Sequence, residues 1–149
     1  MLERLCSRFH LVAKQLRSRR GDRETLHVED EYDVQDLMHA LLTLENDEIR
    51  TEEWTPSYAN GISRTDFLLP LKHVVITAKK TRMDLGAREL GEQLVVDIQK
   101  YTKNPDYRTL VCFMYDPEGR IDNPRGMEKE FSGEKDELTV RVIVAPKDL

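Results

Sequence analysis

The feature that most constrains this chain is a change of hydrophobic period near its middle. Up to about residue 46 the apolar positions recur at helical spacing, and from residue 64 they fall into two short extended runs broken by one proline. Residues 64–69 read as a strand and Pro70 with its neighbours as a tight connection. Residues 73–79, with β-branched Val74, Val75, Ile76 and Thr77, read as the returning strand of a hairpin. Upstream, residues 2–19 place Leu2, Leu5, Phe9, Val12 and Leu16 on one helical stripe, with Arg and Lys between them. Residues 33–46 predict a second helix, with Asp33 as N-cap, Asp36 in the first turn, and Val34, Leu37, Met38, Leu41 and Leu42 facing inward. The acidic segment 46–53 then leads into a loop, Trp54 to Tyr58, punctuated by Pro56 and Asn60-Gly61.

Downstream the helical period returns over residues 84–102, with Leu90, Leu94, Val95, Ile98 and Tyr101 as its stripe and Asn104-Pro105-Asp106 as its stop. Residues 109–115 are a short apolar run fit for a buried strand. Asp116-Pro117-Glu118-Gly119 make a turn, and residues 138–144 a last strand. The order helix, helix, strand, strand, helix, strand, strand predicts an α/β domain in which helices flank a mixed β-sheet. At 149 residues the chain fits one domain, 1–149. Its start directly on a helix predicts a piece of a longer protein.

Charge limits the function classes. A net charge of -5 and a pI near 5.4 exclude binding of nucleic acid through overall charge, so any such grip is local. Basic residues do cluster, in Arg17, Arg19, Arg20 and Arg23, and again in Lys79-Lys80-Thr81-Arg82. Two solvated faces would give the same pattern. Cys6 and Cys112 are too few for a disulfide scaffold, which points to a reducing compartment, and no apolar run reaches the roughly 20 residues of a membrane span. The expected location is cytoplasmic. His10, His27, His39 and His73 lack zinc-ligand spacing with the cysteines, and no phosphate-binding loop, dinucleotide fingerprint or serine elbow is present.

The chemistry concentrates on the hairpin. Side chains alternate across a strand, so Thr77 and Lys79 share a face, and pairing about Pro70 can bring Asp66 to the same spot. A carboxylate beside a lysine suits metal-assisted phosphodiester cleavage, the acid holding Mg²⁺ while the lysine orients water and offsets developing charge. Such a site wants a second carboxylate. Taken alone, the pair more commonly means an exposed salt bridge.

Several runs in order carry a more specific signal. They are Asp30-Glu31-Tyr32-Asp33-Val34-Gln35-Asp36-Leu37, Glu53-Trp54-Thr55-Pro56-Ser57-Tyr58-Ala59, Ser63-Arg64-Thr65-Asp66-Phe67-Leu68-Leu69 and Lys79-Lys80-Thr81-Arg82. They continue through Gly91-Glu92-Gln93-Leu94 and Cys112-Phe113-Met114-Tyr115-Asp116-Pro117-Glu118. Together these resemble the PD-(D/E)XK nuclease superfamily, in the branch grouped with the DpnII and MboI restriction enzymes that is often a terminal domain of bacterial defence proteins. The resemblance runs over residues 5–146.

It implies a restriction-endonuclease-like core and a DNA endonuclease of restriction or antiviral defence type that uses Mg²⁺ or Mn²⁺. A homodimer or larger assembly is expected, because two sites are needed to cut two strands; RNA as a substrate stays open. By the resemblance Asp66 matches the first metal-binding acid and Lys79 the lysine of the acid-x-lysine pair, while the acid between them falls on Thr77. Thr77 marks a naturally degenerate site, an engineered inactive one, or one in which Glu92 or Glu89 supplies the acid from the following helix. Glu31 is a further candidate metal ligand and Gln35, one turn on, a candidate nucleic-acid contact; their bland meaning is a solvated helix face. Gln93 is expected to face the site. Lys80 and Arg82, and after them Arg64, are candidate phosphate contacts. Trp54 and Tyr58 either stack on a base or cover a core edge. The rival function is a degenerate nuclease fold kept as a nucleic-acid-binding or protein-assembly module.

Overall fold

The computed structural model describes residues 2–147. Helix α1 (Leu2–Arg17) and helix α2 (Glu31–Leu42) precede strands β1 (Arg50–Trp54), β2 (Arg64–Leu69) and β3 (Val74–Lys80). Then follow α3 (Ala87–Thr102), β4 (Thr109–Tyr115), α4 (Pro124–Phe131), β5 (Gly133–Lys135) and β6 (Leu138–Ala145). The strands make one mixed sheet ordered β1-β2-β3-β4-β6-β5, with β3, β4 and β6 parallel and the outer pairings antiparallel. The expected fold class, a mixed sheet flanked by helices, is what the chain adopts.

Alternation along β3 decides what each layer covers. Ile76 and Ala78 join Phe67, Val111, Phe113 and Tyr115 beneath α1 and α2, where Phe9 and Met38 complete an apolar core. Val75 faces the other way and packs with Leu110, Cys112, Met114 and Val142 against Leu90 and Leu94 of α3. Thr77 and Lys79 share the parity of Val75, so the strand delivers them to the α3 side.

The Phe131 side chain at the end of α4 reaches across to α3 at Gly91, the one position of that helix face without a side chain. A methyl group at Gly91 would stand 2.7 Å from the ring of Phe131.

Several boundaries differ from expectation. The cap of α2 is Asp30, whose side chain accepts from the Asp33 amide at 2.9 Å, while the Asp33 carboxylate reaches back to the Asp30 amide at 3.3 Å. Asp33 therefore sits inside the first turn as the second half of a capping box. Residues 50–54, expected as the run into a loop, are the edge strand β1. α4 and β5 were not anticipated; α4 nonetheless carries start signals, with Pro124 in its first turn and Asn123 accepting from the Gly126 amide.

The pairing of β2 with β3 stops early. It joins Phe67 to Ile76, Leu68 to Val75 and Leu69 to Val74. β1 and β2 stay paired out to Trp54 and Arg64, and β3 and β4 out to Lys80 and Tyr115. The sheet thus parts beyond Ile76, and side chains rather than backbone fill the wedge.

Candidate active site

Asp66 stands at the opening of that wedge, fully buried. Its Oδ1 accepts from Arg64 Nη2 at 2.8 Å and Nε at 3.2 Å. Its Oδ2 accepts from the Trp54 indole at 2.7 Å and the Tyr101 hydroxyl at 2.6 Å. A carboxylate has about four lone-pair positions, and all are taken.

A second buried carboxylate comes from α3. Gln93, Asp97 and Tyr101 follow one another at single-turn spacing and so look at the sheet together. Asp97 Oδ2 pairs with Lys79 Nζ at 2.9 Å and with Arg64 Nη1 at 3.3 Å, and Oδ1 accepts from the Tyr58 hydroxyl at 2.8 Å. Lys79, itself fully buried, also donates to the Gln93 amide oxygen and to the Tyr58 hydroxyl, each at 3.3 Å. Arg64 further donates to Tyr58. Two anions, Asp66 and Asp97, thus face two cations, Arg64 and Lys79, in a dry, charge-balanced cluster whose hydrogen bonds are charge-assisted.

The environment holds these groups in their donor and acceptor roles. Burial alone would lower the Arg64 pKa, but Asp66 and Asp97 raise it well above the ordinary value, so it stays a guanidinium. Burial raises Tyr58 and Tyr101, and the neighbouring carboxylates raise both further, so both stay protonated donors.

Thr77 is the exception to this satisfaction. It is fully buried, and its hydroxyl is the one buried side-chain polar atom among the described residues without a hydrogen-bond partner. Its cross-strand neighbour is Cys112. Burial pushes the Cys112 thiol up to about 11 while Lys79 and the Thr77 hydroxyl pull it down. That hydroxyl would help a thiolate, but toward the thiol present near neutrality it makes no hydrogen bond of ordinary geometry.

The structure joins Asp66, Lys79 and Gln93 in one cluster with Asp97, Arg64, Tyr58, Tyr101 and Trp54, and sets Thr77 on the same face of β3 as Lys79, opposite Cys112 and outside the hydrogen-bond network. Trp54 and Tyr58 do more than cover a core edge, since each donates to one of the two carboxylates. Arg64 is turned inward, 5 % exposed, rather than out toward solvent. Lys80 points to the opposite face from Lys79 and pairs with Glu118 at 3.3 Å. Arg82 is exposed and pairs with Asp84. Glu31, Arg64, Arg82 and Gln93 share a cleft of about 240 Å³ at the mouth of the cluster with Tyr58 and Asn60. Gln35 is buried on α2 and does not line it. A larger cavity of about 800 Å³ between α3 and α4 lies away from the cluster.

Neither helix acid expected to replace the one missing at Thr77 reaches the cluster: Glu92 is exposed and pairs with Arg88, and Glu89 accepts from the Gly86 amide at 3.0 Å. The carboxylate that does arrive from α3 is Asp97. Its signal was present in the sequence, because it interrupts the apolar stripe of Leu90, Leu94 and Tyr101 at stripe spacing.

The residues present do not fit a divalent ion. No group of three or more His, Cys, Asp or Glu side chains that could hold one occurs among the described residues. Asp66 has no lone pair to spare, Thr77 carries no charge, and hard divalent ions want several free oxygens.

No helix among the described residues is long and apolar enough to cross a membrane. No curated protein and no solved structure matches the chain. The family model for the DpnII-MboI restriction endonucleases (REase_DpnII-MboI) does match, over residues 1–147. With that match spanning nearly the whole chain, and a mixed helix-flanked sheet that gathers Asp66 and Lys79 in one buried cluster, the chain belongs to the DpnII-MboI restriction endonuclease family.

Proposed function

We propose that this chain is a DNA-directed nuclease domain of a restriction or antiviral defence protein in which the cleavage step is disabled at position 77. The observation that carries the reading is the orphaned hydroxyl of Thr77. It sits fully buried on the strand face that carries Lys79, where polar atoms are normally satisfied, and where a carboxylate would complete the acids expected of such a nuclease. Asp66 is the first acid, Lys79 the lysine that would face the scissile phosphate, and Gln93 holds Lys79 in position. At the mouth, Arg82 is the exposed cation suited to a phosphate and Glu31 an outlying acid, whereas Arg64 and Lys80 are held by carboxylates and Gln35 is buried away from the cleft, which removes these three as phosphate contacts. Mg²⁺ or Mn²⁺ is the cofactor of a restored site, and a pair of copies supplies the two sites needed to cut both strands.

The test is cleavage of supercoiled plasmid with Mg²⁺ or Mn²⁺ by the chain as it stands, by Thr77→Glu, and by Thr77→Glu with Lys79→Ala. Cleavage by Thr77→Glu alone is expected. Cleavage by the unaltered chain would show that another acid serves, and Asp97 is the one in place. If none cuts, the catalytic reading falls.

The charge balance of the cluster favours a second reading, a nuclease fold retained to bind nucleic acid or to assemble with a protein partner, because a neutral, satisfied cluster needs no ion. Metal-independent DNA binding that weakens on Arg82→Ala would support it.

A further inference from the structure

The cluster contains an arrangement that the family reading does not anticipate. One guanidinium spans two buried carboxylates, with Arg64 Nη2 at 2.8 Å from Asp66 Oδ1 and Nη1 at 3.3 Å from Asp97 Oδ2. Both acids are fully buried and come from different elements, β2 and α3. A pair of buried carboxylates that close repels unless a cation lies between them. Here the cation is covalently part of the chain. The Thr77 hydroxyl, on the same face of the sheet and without a hydrogen-bond partner, shows that this layer is not filled to the last polar atom.

We propose that the Arg64 guanidinium occupies the position a divalent cation would take between Asp66 and Asp97, so that Arg64 is a built-in substitute for the ion and keeps it out. The carboxylate oxygens that Arg64 now occupies form a latent oxygen site, suited to a hard cation such as Mg²⁺ or Mn²⁺, that opens when Arg64 is neutralised. Lys79 does not fill this role: it pairs with Asp97 and makes no hydrogen bond to Asp66. The inference rests on taking Asp66 as an acid of the nuclease site, and it differs from the functional reading in placing the obstacle to metal at Arg64 as well as at Thr77.

The test is Mn²⁺ titration without DNA, followed by the electron paramagnetic resonance signal of free Mn²⁺ and by thermal unfolding, on the unaltered chain, Arg64→Gln, Arg64→Lys, and Arg64→Gln with Asp97→Asn. Arg64→Gln is expected to bind one Mn²⁺ at least about tenfold more tightly than the unaltered chain, and the added Asp97→Asn to reverse that gain. Arg64→Lys keeps a cation in place and should resemble the unaltered chain. Should Arg64→Gln be unfolded without metal, the proposal requires that Mn²⁺ restore its folding. Binding as tight to the unaltered chain as to Arg64→Gln, a folded Arg64→Gln that binds none, indifference to Asp97→Asn, or an unfolded Arg64→Gln that Mn²⁺ does not rescue would each overturn it. The readout is the ion rather than cleavage, so a Thr77→Glu variant that fails to cut leaves this result intact, and failure here leaves the cleavage test intact.

Discussion

The two faces of the sheet solve the same burial problem by different means. Beneath α1 and α2 the core is apolar, with Phe9, Phe113 and Tyr115 packed ring against ring, the Phe9 and Phe113 centroids 4.9 Å apart, and Phe67 against the His39 ring. Beneath α3 an equally buried layer begins with Val75, Leu90 and Leu94 and ends in the Arg64, Asp66, Lys79 and Asp97 cluster. The first face derives stability from area removed from water and tolerates gradual change. The second depends on every charge having its partner, so its failures are abrupt. A layer organised like the second is what a chemical site requires, and a layer organised like the first is what holds it in place.

The sharpest way to break the comparison is to remove one charge. Asp97→Ala should cost about 3–5 kcal/mol in urea unfolding, because Arg64 and Lys79 lose a shared counter-ion. Phe113→Ala on the other face should cost a similar amount, about 3–5 kcal/mol, for a different reason, the cavity it leaves. A second substitution separates the two causes. Adding Lys79→Met to Asp97→Ala should recover part of the loss, since no lone cation then remains beside the gap.

A smaller effect of opposite sign is expected at Thr77. Thr77→Val keeps the shape and removes the unpartnered hydroxyl, so it should raise stability by about 1 kcal/mol in the same assay. A loss instead would mean that the hydroxyl has a partner, and the argument for a missing group at that position would fall.

The smallest effect belongs to the apolar face. His10 lies against Tyr115 with Nδ1 2.6 Å from the hydroxyl. Burial, and after it Lys14, lowers its pKa below the ordinary 6.5. The folded state therefore holds this proton less tightly than the unfolded chain. Its contribution is complete above pH 6.5 and declines as pH falls below that value toward the folded pKa. Melting temperature followed between about pH 5 and 7.5 should drop at the acid end, and His10→Gln should flatten the drop.

Much of this was legible in the sequence, and the gaps have physical causes. The β2–β3 hairpin stood out because Pro70 and a β-branched run are strong local signals, and strand parity then placed Thr77 with Lys79. β1 was hidden because Arg50-Thr51-Glu52-Glu53-Trp54 is a charged edge strand with one partner, and charged edges look like loops. α4 was hidden because it is short and buries only Met127 among its side chains. In the site, strand parity and the hairpin allowed Asp66 and Lys79 to converge, but it was the resemblance that singled them out. Asp97 could not be matched to them without knowing that α3 crosses over the wedge, although its place on an apolar stripe marked it as unusual. Arg64 was read as a candidate phosphate contact because a buried arginine is uncommon unless paired, and its partners lie on β2 itself and on a helix thirty-three positions away.

The close approach at Gly91 reaches further than packing. α3 is a rigid rod, and Asp97 rides on it six positions beyond the glycine, about 9 Å along the axis at 1.5 Å per residue. A side chain at Gly91 would have to displace the ring of Phe131 or the helix, and any displacement of the helix would be carried along the rod to Asp97.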